Sequence, residues 1–354
     1  MSGKIKAWLL LREQLAGNGL TAILFLVAMT LVGIASAFFL DSSSLRLMTE
    51  MLIYLSLAQL WNFLAGYAGL VSVGQQAYVG LGGYAFFYAA ATLGIPPFPA
   101  FLFGGLAGLV ASAAASVFIF RLKGAYFSIG TWVVAEICLL TVAIVPALGG
   151  GSGMSLPVSV VRRMSPDRET REIIYFGIAL CLSVGITGAV YAFMRSRFGL
   201  ALIAIRDSER AAEALGVDAL QIRRAVHIGC GLATGLIGSL IFLLKLRMTP
   251  DAAFSVLDWT AYVLFIVVIG GTGRIEGPFI GTIVFFVLRG LLADFGPIYL
   301  VILGVVAVLA MLFAPAGAWG LVSKLTSFEL FPLRRFAPRH SPSRLDPALV
   351  KRTT

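Results

Sequence analysis

The sequence predicts an all-α polytopic membrane protein with about ten transmembrane helices and both termini in the cytoplasm. Of its 354 residues, 59% are hydrophobic and only 12% are charged, whereas a soluble domain carries roughly 25% charged residues. Apolar runs of about 20 residues, long enough to cross a bilayer as helices, follow one another along the chain. The lysines and arginines behind the net charge of +10 fall mainly between these runs and in the tail. That placement suits membrane orientation, so we predict contact with membrane lipid and no nucleic-acid partner.

The apolar runs give ten predicted spans after a polar cytoplasmic lead at 1–19. These spans are 20–40, 45–64, a third run ending near 93, 100–120, 125–147, 173–194, 225–244, 255–269, 279–293 and 297–313. The transmembrane domain is therefore predicted at 20–313, and a basic cytoplasmic tail at 314–354 is predicted to be partly disordered. With the N-terminus and C-terminus inside, most of the 27 lysines and arginines lie on the cytoplasmic side.

The segment 195–224 is a strongly charged connection, with six arginines and four acids between two apolar runs. Such a stretch cannot lie in hydrocarbon, and its arginine excess predicts a cytoplasmic loop. Its middle is predicted to form a short helix, with Asp207 or Ser208 as the N-cap and Gly216 as the C-terminal glycine. Because a helix of about eight residues is marginal alone in water, its small apolar residues are predicted to pack against a partner: Ala211, Ala212, Ala214 and Leu215.

The stretch 66–84 combines closely spaced glycines with uncharged polar side chains at predicted membrane depth. The glycines, at 66, 69, 74, 80, 82 and 83, loosen a helix and let backbones approach closely. Two interpretations stay open: a helix-packing face of small residues, and a broken helix that lines a substrate route. Glycines at 270, 273 and 277 have a similar spacing, which is a weak hint of an internal repeat.

Glu136 is the one carboxylate predicted near the centre of a span. An ionisable residue at that depth is a functional hypothesis by default. Glu136 could pair with an arginine, be held neutral by burial, stabilise a substrate ammonium group or make a structural hydrogen bond.

Three motifs then carry a family resemblance that covers roughly residues 45–315. Gly-Tyr-Ala-Gly-Leu-Val-Ser-Val-Gly at 66–74, Ile-Arg-Asp-Ser-Glu-Arg-Ala-Ala-Glu-Ala-Leu-Gly-Val at 205–217 and Gly-Gly-Thr-Gly-Arg-Ile-Glu-Gly-Pro at 270–278 resemble branched-chain amino acid ABC importer permeases of the LivM type. The resemblance implies a bacterial inner-membrane permease subunit that pairs with a LivH-like chain. It also implies two cytoplasmic LivG/LivF-like ATPases and a periplasmic substrate-binding protein.

The resemblance further implies that 195–224 is the coupling loop on which the ATPases act. We predict that the coupling contacts are made by Arg206, Asp207, Glu209, Arg210, Ala211, Ala212, Glu213, Leu215 and Gly216. We predict that the translocation path is lined by Asn62, Gly66, Gly69, Ser72, Gly74, Gln75, Gln76, Glu136, Gly270, Gly271 and Gly273.

The chain has no Gly-x-x-x-x-Gly-Lys-Ser/Thr phosphate-binding loop. We therefore predict a non-catalytic subunit that binds no cofactor, with ATP and Mg on the partner ATPases. Two alternatives stay open: a permease of the same family for urea, short amides or another small solute, and an ion-coupled secondary transporter that uses Glu136.

Overall fold

A computed structural model describes residues 19–165, 167–292, 295–296, 298–313, 316–326 and 330–333. Within them, seven helices are long and apolar enough to cross a membrane, and Gly277–Leu292 is a shorter apolar helix. The chain is therefore an all-α, multi-pass membrane protein. The total of about ten spans and the orientation of the termini stay predictions. Residues 1–18 of the predicted lead and residues 334–354 of the predicted tail lie outside the described residues.

The helices of the described residues are numbered here in chain order. They are α1 Leu20–Phe39, α2 Ser42–Asn62, α3 Gln75–Phe87, α4 Pro97–Ile119, α5 Ala125–Ile144, α6 Val158–Met164, α7 Arg168–Arg195, α8 Arg197–Asp207, α9 Glu209–Ala214, α10 Ala219–Lys245, α11 Pro250–Ala253, α12 Tyr262–Gly270, α13 Gly277–Leu292, α14 Ile298–Phe313 and α15 Gly317–Thr326. π-Helical turns at Phe63–Tyr67 and Tyr88–Thr92 extend α2 and α3, and another at Leu257–Ala261 leads into α12.

A small sheet adds to the all-α architecture and was not predicted. Strand β1, Met154–Ser155, pairs antiparallel with β2, Arg247–Met248, so that Met154 lies opposite Met248. The segment 149–171, which lies between two predicted spans, also contains the 3₁₀ turn Gly150–Ser152 and helix α6. Strands of two residues leave no readable alternation in a sequence, which is why the pattern missed them.

The helix ends differ from the predicted span ends for local reasons. Helix α2 begins at Ser42 because Asp41 is its N-cap and accepts a hydrogen bond from the Ser43 amide. Helix α10 begins at Ala219, six residues before the predicted span, because the Asp218 carboxylate caps it at 2.9 Å from the Gln221 amide. These caps extend both helices beyond their apolar runs.

Helices α3, α4 and α10 form the tightest part of the bundle, and glycines make their close approach possible. A Cβ atom on Gly235 of α10 would lie 2.3 Å from the Gly104 carbonyl oxygen of α4. A Cβ atom on Gly82 of α3 would lie 2.3 Å from the Gly235 carbonyl oxygen, and one on Gly108 would lie 2.2 Å from the Gly231 carbonyl oxygen. The three backbones are therefore in direct contact, and we call these residues the glycine seam: Gly82, Gly104, Gly108, Gly231 and Gly235.

The start of the tail folds back onto the bundle. Helix α15 lies inside the segment predicted to be partly disordered, and Phe331 beyond it is buried. The Phe331 amide donates to a carboxylate oxygen of Glu276 at 2.8 Å, and the Phe331 ring stacks on Phe279 with centroids 6.3 Å apart. Apolar and polar contacts therefore hold the described start of the tail against the bundle, and partial disorder of the tail stays a prediction.

Candidate functional site

The segment 195–224 contains two helices, whereas the sequence predicted a loop with one. Helix α8 is capped by Ser196, whose hydroxyl accepts hydrogen bonds from the Phe198 and Gly199 amides. Leu202 and Ile205, three residues apart on one face of α8, are 0% and 1% exposed. This helical spacing was present in the sequence, but the density of charges around it indicated a loop.

The predicted short helix is α9, and its boundaries follow the predicted capping residues. Of the two predicted N-caps, Ser208 is the one that acts, since its hydroxyl accepts a hydrogen bond from the Ala211 amide. Asp207 instead ends α8 and forms an ion pair with Arg206 at 2.9 Å. Gly216 follows α9 with a φ of 81°, a left-handed conformation that favours glycine at a helix end.

The two faces of α9 have different surroundings. Ala212 is 2% exposed and packs with Ile205 and Ala219, so it attaches α9 to its own chain and presents no surface to a partner. Its predicted partner contact therefore needs correction. Leu215 is 84% exposed, and the other predicted contact residues on the open side are also exposed: Arg206, Asp207, Glu209, Arg210, Ala211, Glu213 and Gly216.

Two arginines, one on each side of α9, bind the backbone where α2 ends. Arg206 donates from Nη1 to the Gly66 carbonyl oxygen at 2.8 Å. Arg223 donates from Nε to the Ala68 carbonyl oxygen at 3.3 Å and forms an ion pair with Glu209 at 2.8 Å. Carbonyl groups at a helix end lack helical partners, so the two guanidinium groups satisfy them and fasten the segment to this place.

The end of α2 also contacts the second glycine-rich turn, 270–277. The Asn62 side chain accepts from the Gly273 amide at 2.7 Å and donates to the Arg274 carbonyl oxygen at 2.8 Å. A Cβ atom on Gly66 would lie 2.5 Å from the Gly273 nitrogen. We call the two turns, 66–74 and 270–277, together the glycine hub.

The backbone of the hub requires glycine at several predicted positions. Gly69 and Gly273 have φ values of 68° and 75°, and Gly271 has 120°, which disfavour any side chain. Gly270 is packed so closely that a Cβ atom would lie 2.0 Å from the Gly277 carbonyl oxygen. The chain is therefore broken at the hub in a way that only these residues permit.

The first turn of the hub is held against α5. A Cβ atom on Gly74 would lie 2.2 Å from the Thr131 carbonyl oxygen, and the Val73 amide donates to the Thr131 hydroxyl at 3.0 Å. Ser72 is buried, and its carbonyl oxygen accepts a hydrogen bond from the Trp61 indole at 2.8 Å. Regular helix resumes only at Gln75.

The two glutamines after the hub differ in how their amides are satisfied. Gln76 is fully buried, and its Oε1 atom accepts a hydrogen bond from the Thr260 hydroxyl. Gln75 is 1% exposed, and neither polar atom of its side chain has a hydrogen-bond partner among the described residues. A buried amide without partners costs free energy, which makes Gln75 an unusual residue at this depth.

The segment 66–84 contains both a helix break and a packing face of small residues, while the substrate route along it stays a prediction. The chain is broken over 68–74, between the π-helical turn and α3. Gly80, Gly82 and Gly83 lie within α3, where added Cβ atoms would meet Phe254, the Gly235 backbone and Phe242, respectively, at 2.2–2.5 Å. The first glycines therefore form a break and the later ones a packing face.

Glu136 lies apart from the hub, and its place on the translocation path stays a prediction. It is half-buried on α5 and accepts a hydrogen bond from the Trp132 indole of the same helix at 3.0 Å. No arginine among the described residues pairs with it. Ile129, Val133 and Ile137 around it are all more than 45% exposed, so this face of α5 is open within the single chain.

A cavity of about 460 Å³ separates the hub from the link between α4 and α5. Its walls include Gly69 of the hub, Glu209 and Arg223 of the charged segment, and Lys123 of the link. Sequence reasoning missed Lys123 and Arg223, since their charges were used only to orient the chain. The hub therefore borders an open cavity at the end of the bundle where α9 lies.

The described fold defines a class: a multi-pass helical membrane protein with a charged helical segment fastened to a broken-helix hub. The chain belongs to the family of branched-chain amino acid transport system permease components, whose sequence model matches residues 45–315. It is of the LivM type, and its relatives are ABC transporter permeases.

Three curated relatives support this placement. The chain is 27% identical to the high-affinity branched-chain amino acid transport system permease protein LivM of Salmonella typhimurium, over 85% of this chain and 76% of the relative. The LivM protein of Escherichia coli is 26% identical over the same shares. A probable LivM permease of Methanocaldococcus jannaschii is 25% identical over 60% of this chain and 66% of the relative. No solved structure gives a significant match.

Proposed function

We propose that this chain is the translocation subunit of an ABC importer in a bacterial inner membrane and that its cargo is a branched-chain amino acid. Its family and the names of its relatives support this proposal. A LivH-like chain would complete the membrane dimer, and a periplasmic binding protein would deliver the cargo. Two LivG/LivF-like ATPases would bind ATP and Mg and hydrolyse the nucleotide, while this chain binds no cofactor.

The observation that carries the proposal is the contrast between the two faces of α9. Its inner face is fixed by Ala212 and by the two arginines beside it. Its outer side ends in Leu215, whose side chain is 84% exposed within a segment too charged to lie in hydrocarbon. Together with the exposed charged residues around it, Leu215 forms the water-facing surface of α9 that we assign to the ATPase, which is the partner that a permease requires.

The contacts of Arg206 supply the route by which movement of α9 would reach the membrane helices. A displacement of α8 and α9 would pull on the Gly66 carbonyl group through Arg206. Gly66 contacts the turn 270–277, and Asn62 is bonded to the backbone of both Gly273 and Arg274. The two helix breaks would therefore move together, as an alternating-access mechanism requires.

The two alternative functions differ in how well they fit this geometry. A permease for urea or short amides would use the same hub, and the binding protein would decide the cargo. An ion-coupled transporter would need Glu136 on a pathway through the chain. Glu136 lies instead on an open face of α5, hydrogen-bonded to Trp132, so we place that alternative second.

Co-purification from native membrane tests the proposal. Leu215→Arg replaces the exposed side chain without breaking any contact described above. Val158→Arg is its matched control, because Val158 is 65% exposed on another short helix. Helix α6, which contains Val158, lies near the β1–β2 pair at the opposite end of the bundle.

We expect ATPase subunits to co-purify with the natural chain and with Val158→Arg and to be lost from Leu215→Arg. A Leu215→Arg chain that retains them would contradict the proposed docking face. A natural chain that purifies alone and moves solute on an ion gradient would favour the alternative transporter, and Glu136→Gln would then be expected to abolish that coupling.

A further inference from the structure

A polar cavity lies at the end of the bundle farthest from α8 and α9. Helix α10 connects the two ends, since its first residue, Ala219, closely follows α9 and its last residue is Lys245. Its 27 residues span roughly 40 Å at about 1.5 Å per residue. The cavity has a volume of about 280 Å³ and is bounded by α2, α10, α13, α14 and the π-helical turn before α12.

Charges of both signs line this cavity, and only some of them are neutralised within the chain. Arg289 forms an ion pair with Glu50 at 2.6 Å. Arg46, Lys245 and Asp258 also line the cavity. Among the described residues, no carboxylate forms an ion pair with Arg46 or Lys245, and no cation or hydrogen-bond donor contacts the Asp258 carboxylate. The cavity is therefore lined by both positive and negative side chains that form no ion pair within the described residues.

Aromatic side chains form much of the apolar part of the wall. The Trp259 indole is fixed by a hydrogen bond from Nε1 to the Ala252 carbonyl oxygen at 2.9 Å. The Tyr54 ring stacks on it with centroids 6.3 Å apart, and the Lys245 ammonium group lies 4.7 Å from the Trp259 ring centroid. The cation is therefore held against a rigid aromatic surface beside the cavity.

The backbone around Asp258 is itself unusual. Asp258 and Trp259 belong to the π-helical turn Leu257–Ala261, and such turns occur frequently at functional sites. The Asp258 amide donates to the Ser255 hydroxyl at 3.2 Å, and Asp258 lines the cavity. The π-helical turn therefore contains Asp258, an acidic residue whose carboxylate has no ion-pair partner among the described residues.

We propose that this cavity is a binding site for one zwitterionic molecule. Its ammonium group would lie at Asp258, its acidic group at Lys245 and Arg46, and its apolar part against Tyr54 and Trp259. The cavity volume lies just below the range of about 300–1,000 Å³ for drug-sized ligands, which suits a small molecule. Two sources share this chemistry: a free amino acid with an apolar side chain, and the headgroup of phosphatidylethanolamine.

The amino-acid source rests on the proposed function, since the molecule would then be cargo that enters the permease. The lipid source does not rest on it. Binding at this site needs neither ATP nor an ATPase, so its outcome is independent of the co-purification test above.

The test measures binding to the full chain, with whatever membrane partners purify with it, in phosphatidylglycerol nanodiscs without a binding protein. Radiolabelled leucine is the first probe, and isoamylamine and 4-methylpentanoate are competitors that carry only one of its two charges. Native mass spectrometry of the chain taken from its own membrane detects retained phosphatidylethanolamine, the second probe.

Two charge-removing variants have matched controls in the same region. Asp258→Asn is compared with Asp251→Asn, and Lys245→Met with Arg247→Met, because Asp251 and Arg247 are exposed and do not line the cavity. Asp258→Glu keeps the charge and should retain binding, which separates a charge effect from a folding defect.

We expect leucine binding, or phosphatidylethanolamine retention, to fall at least ~10-fold in Asp258→Asn and Lys245→Met, as loss of a charged contact predicts. Both control variants and Asp258→Glu should bind as the natural chain does. Leucine binding would identify an amino-acid site and lipid retention a headgroup site. The proposal is overturned if neither probe binds, if the controls lose as much as the variants, or if the single-charge compounds compete as well as leucine.

Discussion

The glycine seam and the glycine hub use the same residue for opposite purposes. In the seam, Gly104 and Gly235 lie in unbroken helices, and their missing side chains let α4 and α10 touch along their backbones. In the hub, Gly69 and Gly273 have left-handed φ values and end the helical hydrogen bonding. The seam joins helices into a rigid unit, whereas the hub exposes backbone groups to which Asn62 and Arg206 bind.

This difference indicates where the molecule can move. Seam contacts are made by backbone atoms that cannot change rotamer, so α3, α4 and α10 are expected to move as one body. The two hub turns also approach closely at Gly66 and Gly273, but the bonds that Asn62 and Arg206 make to them are side-chain hydrogen bonds, which can break and form again. Substitutions in the two regions should therefore affect stability and transport differently.

The largest effect on stability is expected in the seam. Gly235→Val would drive a branched side chain into the Gly104 carbonyl oxygen, and we expect a loss of ~3 kcal/mol or more in the free energy of unfolding. The midpoint of thermal unfolding in detergent measures it. Gly229→Val on the same helix is the control, since nothing lies within 4 Å of the added Cβ atom. Equal losses in both variants would contradict the seam.

A smaller loss is expected when the two turns of the hub are disconnected. Asn62→Leu removes hydrogen bonds to the Gly273 amide and the Arg274 carbonyl oxygen, and leaving these groups without partners should cost about 1–3 kcal/mol. The midpoint of thermal unfolding in detergent measures this cost. Uptake in proteoliposomes should fall by more than the loss of folded protein alone explains. An Asn62→Leu chain with normal uptake would show that the two turns need not move together.

Arg206→Gln is expected to change stability by less than ~1 kcal/mol, because Arg206 is partly solvent-exposed and such contacts are weak. Its effect should be on transport, through the lost bond to Gly66. Arg197→Gln is the matched control on α8, since Arg197 contacts the ring of Phe198 and not the hub. Thermal unfolding of the two variants should be indistinguishable within that limit, and a large loss in Arg206→Gln alone would make Arg206 a structural residue.

The smallest effect is expected from Gln75→Leu. Both polar atoms of this buried side chain lack hydrogen-bond partners among the described residues, so their removal should leave stability unchanged or raise it slightly. Reduced uptake by this stable variant would support Gln75 as part of the translocation path. Destabilisation comparable to that of Asn62→Leu would instead show that the Gln75 amide forms bonds in the folded protein.

Much of this architecture could be predicted from local sequence signals. Apolar runs located most of the long helices, and the predicted capping residue Ser208 is the one that acts. Gly216 also has the predicted left-handed conformation. These features depend on a few neighbouring residues, which is why composition, spacing and capping chemistry could identify them.

The contacts between distant segments could not be predicted in this way. Nothing in the sequence indicates that Asn62 bonds to Gly273, 211 positions away, or that Ala212 packs inward against Ile205. Glu136 was predicted to line the translocation path because of its depth along a span, but that depth does not specify which face of the helix carries the side chain. The cavity at Asp258 was missed because its charges come from several separate elements.

The most direct test of the coupling route is the ratio of amino acid transported to ATP hydrolysed by the reconstituted importer. We expect the Arg206→Gln importer to retain the ATPases and hydrolyse ATP but to transport several-fold less amino acid per ATP, while Arg197→Gln transports normally. If Arg206→Gln transported as much per ATP as the natural chain, the bond between α8 and the hub would have no part in coupling.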